Sequence, residues 1–313
     1  MIQGPGANIF AISGNNAVRI FYVMPNASLT MSGLAITLGH SSQGGAIYND
    51  GRLDLSNMSI SANYADTSGG IYNNYGSVLN VSSSTFYNNS SDWCCSAIFA
   101  DRTVASTIAN STFYNNTSTR GGGGAIGSAG PMTIVNSTIA GNTTNQSTGG
   151  GVWNYQNLGS VTLKNTIVAN NTNGNCAETI TDGGGNLQYP GNDCGATIPV
   201  GDPKLGPLQD NGGPTWTMAL LSGSLAIDAG DNPTCAGQPI NNLDQRGETR
   251  PKDGDGNGTL ICDIGPYEAS TIIAFTPTKT PRPTNTPRST STPRPTKTPK
   301  SEVPGIAPTF PVK

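Results

Sequence analysis

The chain has 313 residues, of which 11% are charged, against roughly 25% in an ordinary globular domain. With 41 glycines, 22 prolines and 33 asparagines, and few of the Lys, Glu and Leu that fill solvated helices, the composition argues against a helical bundle or a large α/β enzyme. The net charge of -3 hides a split: residues 1–269 carry 9 basic and 18 acidic side chains, residues 270–313 carry 7 and 1. Neither part has the basic footprint of a nucleic-acid binder. No run approaches 18 apolar residues, so no segment reads as a membrane span.

The N-terminus opens directly into strand-like sequence, without the basic and apolar regions of a signal peptide. Ile9, Ile12, Val18, Ile20, Tyr22 and Leu29 already read as inward positions, so the chain is expected to start inside a longer protein.

Next comes an internal repeat. A pair of small residues followed by a hydrophobe recurs at Gly45-Ala46-Ile47, Gly69-Gly70-Ile71, Ser96-Ala97-Ile98, Gly124-Ala125-Ile126 and Gly150-Gly151-Val152, the hydrophobes lying 24, 27, 28 and 26 residues apart. A hydrophobe followed three residues later by Asn recurs at Ile60/Asn63, Phe86/Asn89, Phe113/Asn116, Ile139/Asn142 and Ile167/Asn170, with spacings of 26, 27, 26 and 28. Two motifs that keep one period mark a solenoid. Aligned on them, Leu55, Val81, Ile108, Ile134 and Leu163 form one column. Leu53, Leu79, Ser106, Met132 and Val161 lie two residues earlier, the spacing of a strand face. Two residues after the first column stand Asn57, Ser83, Asn110, Asn136 and Asn165, and the last rung is offset by one residue.

A short strand with one apolar face cannot bury that face alone. Coiling the chain so that equivalent residues stack about 4.8 Å apart gives every strand two partners and a shared interior. The expected fold is therefore all-β, a single-stranded right-handed parallel β-helix over residues 1–198, each rung running strand, Asn bend, strand, Asn-rich turn, strand. The structural Asn column Asn57, Asn110, Asn136 and Asn165 is expected to satisfy itself, because a stacked amide both donates and accepts. Asn-x-Ser/Thr triplets at these positions are explained by the bend rather than by glycosylation. The pairing of Gly-Gly-Ala-Ile (44–47, 123–126) with Phe-x-x-Asn (86–89, 113–116) resembles the repeats of chlamydial-type polymorphic outer-membrane proteins. That resemblance covers roughly residues 33–175 and implies an exported surface β-helix of adhesin type. The membrane barrel of that family has no counterpart in this sequence.

Six cysteines show no zinc spacing. Separations of 18 and 27 residues suit two disulfides, Cys176–Cys194 and Cys235–Cys262, each worth about 3 kcal/mol if loop closure governs. They favour an oxidising, extracellular or cell-surface location. The neighbouring Cys94 and Cys95 fit either a bonded pair or two thiols in a turn.

From residue 199 the vocabulary changes. Gly201-Asp202-Pro203, Asp210-Asn211-Gly212-Gly213-Pro214, Ser224-Leu225-Ala226-Ile227-Asp228-Ala229-Gly230, Asp244-Gln245-Arg246-Gly247 and Cys262-Asp263-Ile264-Gly265-Pro266-Tyr267-Glu268 follow in order. The series resembles the choice-of-anchor Q domain of bacterial β-helix surface proteins, which implies surface display and no defined reaction. Over 199–269 it reads as a loop-rich cap that seals the last rung with Leu220, Leu221, Leu225, Ile227, Ile261 and Ile264. Arg246 and Arg250 are expected to pair with some of Asp228, Asp231, Asp244 and Glu268. Asp253-Gly254-Asp255-Gly256-Asn257-Gly258 has the opening of a calcium loop. The closing Glu is missing, and a plain Asp/Gly turn is the alternative. Asp253, Asp255, Asn257 and Asp263 are the candidate calcium ligands, and no other cofactor is expected. Residues 270–313 read as a disordered Thr/Pro-rich stalk of extended, polyproline-like character.

Parallel β-helices include polysaccharide lyases and hydrolases, so catalysis is a competing expectation. Asp50, Asp54, Asp66, Asp92, Asp101, Glu178, Asp182 and Asp193 do not fall in one rung column, whereas hydrolysis needs carboxylates facing one cleft. His40 reads as a turn residue. The expectation is a monomeric, non-catalytic surface module for adhesion, display or binding of surface glycans or cell-wall components. Tyr64, Tyr75, Trp93, Trp153 and Tyr155 are candidates for a sugar-stacking strip. A polysaccharide-active enzyme and a passive spacer are the alternatives.

Overall fold

A computed structural model describes residues 1–146 and 149–270. The stalk lies outside the described residues from 271 onward. The repeat region coils as a parallel β-solenoid, and each full turn carries four strands rather than three. The turn from Arg52 shows the order: Arg52–Ser56, Ser59–Ser61, Tyr64–Thr67 and Ile71–Asn73. Stacked turn on turn, these make four sheets, numbered 1 to 4 in that order, of eight, eight, five and seven strands. The additional strand belongs to sheet 3 and is only two to four residues long in each turn, as at Ser90–Ser91 and Thr117–Ser118.

The registers follow the columns of the repeat. Leu53 lies beside Leu79, then Ser106, Met132 and Val161; Leu55 lies beside Val81, Ile108, Ile134 and Leu163. On sheet 4, Ile47, Ile71, Ile98, Ile126 and Val152 stack in the same way. All these hydrophobes are buried and share one continuous core. Within it Phe86 and Phe113 lie face to face, 4.8 Å between ring centres. On sheet 2 the last rung is not offset: Val168, not Ile167, pairs with Ile139. Ile167 points outward into a second apolar cluster with Leu187, Leu220, Ala226 and Ile264, which explains why a hydrophobe stands there.

The two asparagine positions play different roles from those expected. At the bends between sheets 1 and 2, Asn57, Asn110, Asn136 and Asn165 have φ of 54°, 44°, 45° and 45°, the left-handed region that Asn tolerates better than most residues. Their amides do not bond one another. Asn110 donates to the Leu243 carbonyl, Asn165 to that of Asp231, and Asn136 and Asn165 both point at Cys235 Sγ. The self-satisfying chain forms at the corner after sheet 2. There Asn63 Nδ2 donates to Asn89 Oδ1 at 2.9 Å, and the chain continues through Asn116, Asn142 and Asn171 to Asn175 at 2.9–3.0 Å. From Asn89 to Asn175, each Oδ1 also accepts the backbone N–H of the preceding asparagine in the chain, as Asn116 Oδ1 does from Asn89 N, while Asn63 Oδ1 accepts from Gly39 N. Asn171 replaces the expected Asn170 because Val168 sets the register.

All three disulfides are present: Cys94–Cys95, Cys176–Cys194 and Cys235–Cys262. Residues 190–200 cover the C-terminal end of the core. Buried Gln188 donates to the Gly195 and Ile198 carbonyls and accepts from Cys194 N, while Cys194 and Ile198 join the core. The 199–269 module is therefore not an end plug. It lies along the outer face of sheet 2, where Leu220 and Ile264 pack and where Leu221 and Leu225 remain 50% and 60% exposed. Gln245 is buried against this face, donating to Thr85 Oγ1 of one turn and accepting from Thr112 Oγ1 of the next at 2.7 Å. Thr85 Oγ1 donates to the Trp216 carbonyl, and the Trp216 ring stacks on Tyr87 at 5.6 Å.

Asn116→Ala removes one acceptor and one donor from the buried chain. It should destabilise the protein by about 3 kcal/mol in urea unfolding, against less than about 1 kcal/mol for Asn80→Ala on the half-exposed face of sheet 1.

Candidate functional site

The outward face of sheet 4 follows from the strand period. The residue after each inward hydrophobe of the first motif must point away from the core. These residues are Tyr48, Tyr72, Phe99, Gly127 and Trp153, preceded by Tyr22 in the first turn. Stacking turns makes them a column of rings along the solenoid. Tyr48 and Tyr72 lie parallel at 5.2 Å, Tyr72 and Phe99 tilt at 5.6 Å, and Arg19 sits over Tyr48 at 4.9 Å.

At Gly127 the column lacks a ring and Cys95 Sγ takes its place; a groove of about 460 Å³ lies among the neighbouring rings. Tyr72 and Phe99 lie on one side and Trp153 and Tyr155 on the other. Trp93 and Cys94 arrive from the corner between sheets 3 and 4. Gln43, Thr67, Asp101 and Arg102 add polar groups to the lining. Tyr155 braces two walls, 4.7 Å from the Trp153 ring and 5.6 Å from Phe99. The Tyr72 hydroxyl donates to Asp101 Oδ2 at 3.3 Å; burial first, and then the Asp101 charge, hold this phenol well above its ordinary pKa. Tyr72 therefore stays a neutral donor throughout the physiological range.

Of the expected strip, Trp93, Trp153 and Tyr155 meet in this groove. Tyr64 and Tyr75 do not: Tyr64 packs edge-on against His40 on sheet 3 at 5.0 Å, and Tyr75 is 71% exposed on the turn after sheet 4. Tyr48, Tyr72, Phe99, Asp101 and Arg102 were missing from the expectation. The position immediately after the inward hydrophobe was the signal that would have found the rings.

The acidic loop is assembled differently from the expected ligand set. Asp228, Asp253 and Asp255 each bring an oxygen within 4.8 Å of the others. Asp228 accepts from the N–H groups of Gly254 and Asp255, and Asp253 accepts from Gly256, Asn257 and Gly258. Asn257 donates to Asp255 and accepts from Thr259 N. Asp263 is not in this group. It is fully buried, holding the backbone N–H groups of Asp228 and Ala269. Three carboxylates are hard oxygen donors of the kind calcium takes, so the residues that fit the ion are Asp228, Asp253 and Asp255.

Beneath that loop the module carries a buried charge cluster. Arg246 pairs with Asp244 at 2.6 Å, and Arg250 Nε faces Glu268 Oε2 at 3.5 Å, both groups fully buried. Burial, then the neighbouring Glu268 charge, pushes Asp263 up to about 7; burial likewise raises Glu268. A second hollow of about 590 Å³ lies in the module between Leu220, Leu225, Ile227 and Tyr267. Though larger, it offers a single ring, and the sheet 4 groove is the better-equipped site.

No family model, curated protein or solved structure matches the chain.

The raised Asp263 fixes the sign of a pH effect. The folded state holds a proton that the unfolded chain releases near pH 4, so the contribution of Asp263 to stability is full below that value and is lost as pH rises to about 7. Melting in chelator should therefore be higher at pH 5 than at pH 8. A rise in melting temperature over the same interval would contradict this.

Proposed function

We propose that this chain is a non-catalytic cell-surface β-solenoid that binds carbohydrate in the groove of sheet 4. The observation that carries the reading is the ring-lined groove of sheet 4 beside the break at Gly127. It gathers Tyr72, Phe99, Trp93, Trp153 and Tyr155 around one cleft, with Gln43, Thr67, Asp101 and Arg102 alongside. Ring faces and edges take the apolar C–H faces of a pyranose, and the amide, hydroxyl, carboxylate and guanidinium groups take its hydroxyls. Asp101 is the one carboxylate among the lining residues, whereas glycoside hydrolysis uses a pair flanking the bond; this favours binding over cleavage. Three disulfides agree with an oxidising exterior, and the resemblance of 199–269 to choice-of-anchor Q domains points to surface display. In this reading the partners are surface glycans or cell-wall polymers. We propose in addition that Asp228, Asp253 and Asp255 seat a calcium ion that stiffens the module.

A glycan array followed by calorimetry on the retained oligosaccharide tests the main reading. Trp153→Ala should weaken binding by about tenfold or more, with the protein still folded at the assay temperature and no new reducing ends released. Retention of no glycan, or wild-type affinity in both Trp153→Ala and Tyr155→Ala, would overturn it. For the ion, melting should be higher in millimolar calcium than in chelator, and the difference should vanish in Asp228→Asn. Equal melting of the wild type in the two buffers removes the calcium proposal.

A further inference from the structure

Cys176–Cys194 and Cys235–Cys262 tie together segments 18 and 27 residues apart. Cys94–Cys95 ties a residue to its neighbour. It closes no chain loop, so it removes almost no entropy from the unfolded state and cannot be explained as a staple. Its position accounts for it. Cys94 and Cys95 cluster with Tyr72 and Phe99, with Tyr48, Trp153 and Tyr155 packed against them, and Cys94 lines the groove. Cys95 Sγ occupies the space of the ring that Gly127 lacks: a Cβ on Gly127 would collide with it. Gly123, at φ +69°, lies under the same sulfur and beside Trp153.

The bond also holds the backbone. Cys95 sits at φ +60°, a region that β-carbon residues other than Asn and Asp rarely occupy. It is fixed there by the eight-membered ring it shares with Cys94 and by its N–H to the Gly123 carbonyl. Trp93, the exposed wall of the groove, is the preceding residue of the same turn.

We propose that the Cys94–Cys95 disulfide is a ligand-contacting element of the sheet 4 groove and a thiol-sensitive switch for it. The identity of the ligand rests on the carbohydrate reading; the coupling of sulfur to groove wall does not. The reductant is a dithiol. Its thiolate attacks Cys94 Sγ and the S–S bond breaks with the electron pair leaving on Cys95, which takes a proton. The second thiol of the reductant then displaces Cys94 as a protonated thiol and closes its own disulfide. The protein gains two electrons and two protons. Cys95 is then free to leave φ +60°, the sulfur leaves the gap at Gly127, and Trp93 loses its fixed place.

Two readouts test this, one without ligand. Dithiothreitol added to the folded protein should make Cys94 and Cys95 alkylable and raise the fluorescence of Trp93 and Trp153 as disulfide quenching is lost. Oligosaccharide affinity should fall by about tenfold. The double variant Cys94→Ala/Cys95→Ala should melt with the wild type, bind weakly from the start and ignore the reductant, which controls for the other two disulfides. If it fails to fold, Cys94→Ser alone breaks the bond and serves the same purpose. Undiminished glycan affinity after alkylation of both cysteines overturns the switch while leaving carbohydrate binding intact. No glycan binding by the oxidised protein, with a full fluorescence response, overturns the carbohydrate reading and supports the switch. Absence of any fluorescence change on reduction overturns the coupling itself.

Discussion

The solenoid depends on holding every turn in register with the next, and the buried asparagine chain from Asn63 to Asn175 imposes that condition. Hydrophobic burial drives the coiling, but stacked Leu, Ile and Val side chains tolerate exchange and small shifts. An amide that must donate to one neighbour and accept from another does not. A slip of one residue on sheet 2 would turn Phe86, Phe113, Ile139 and Val168 outward and at the same time leave each asparagine carbonyl and amino group unpaired in a dry corner. The two penalties fall on the same error. Tight turns of 24 to 29 residues are thereby kept uniform even though their loops differ in length.

Much of this architecture was legible in the chain. The columns headed by Leu53 and Leu55 and the sheet 4 column from Ile47 to Val152 pair as the spacing requires, and the two long-range cysteine pairs bond. The errors have physical causes. Asn57 and Asn63 look alike in sequence, but one is chosen for a left-handed bend and the other for two-sided hydrogen bonding, and only geometry separates the two uses. Ile167 stands in the column of the Phe-x-x-Asn motif, and nothing local says that a later segment, with Leu220 and Ile264, covers it. Nothing local in the repeat marks Thr85 and Thr112 as partners of Gln245, which lies some 130 to 160 residues away. The short strands of sheet 3 carry Ser and Thr and show no apolar face to detect.

The candidate site illustrates what periodicity hides. Attention to inward positions finds the core, while the groove is written in the positions between them. A ladder of identical rings would be a smooth ridge, each ring covering the next. It becomes a cleft where one turn departs from the rule, at Gly127, and where a corner of the preceding turn supplies two sulfurs instead. The acidic loop shows the same limit: Asp253 and Asp255 were visible as a pair, but Asp228, their third carboxylate, lies 25 residues earlier and is brought in by the fold of the module.

The lateral position of the 199–269 module has a mechanical consequence. A bare solenoid pulled at its C-terminal turn would peel, one strand's hydrogen bonds carrying the force at a time, since each turn holds only its neighbours. Here tension entering at residue 269 meets a segment bonded to successive turns at Thr85, Asn110, Thr112 and Asn165. Buried Arg250 and Glu268 sit near its point of entry. Such a load would be divided among bonds to several turns. A bound surface could therefore pull on this protein without unwinding it from the end.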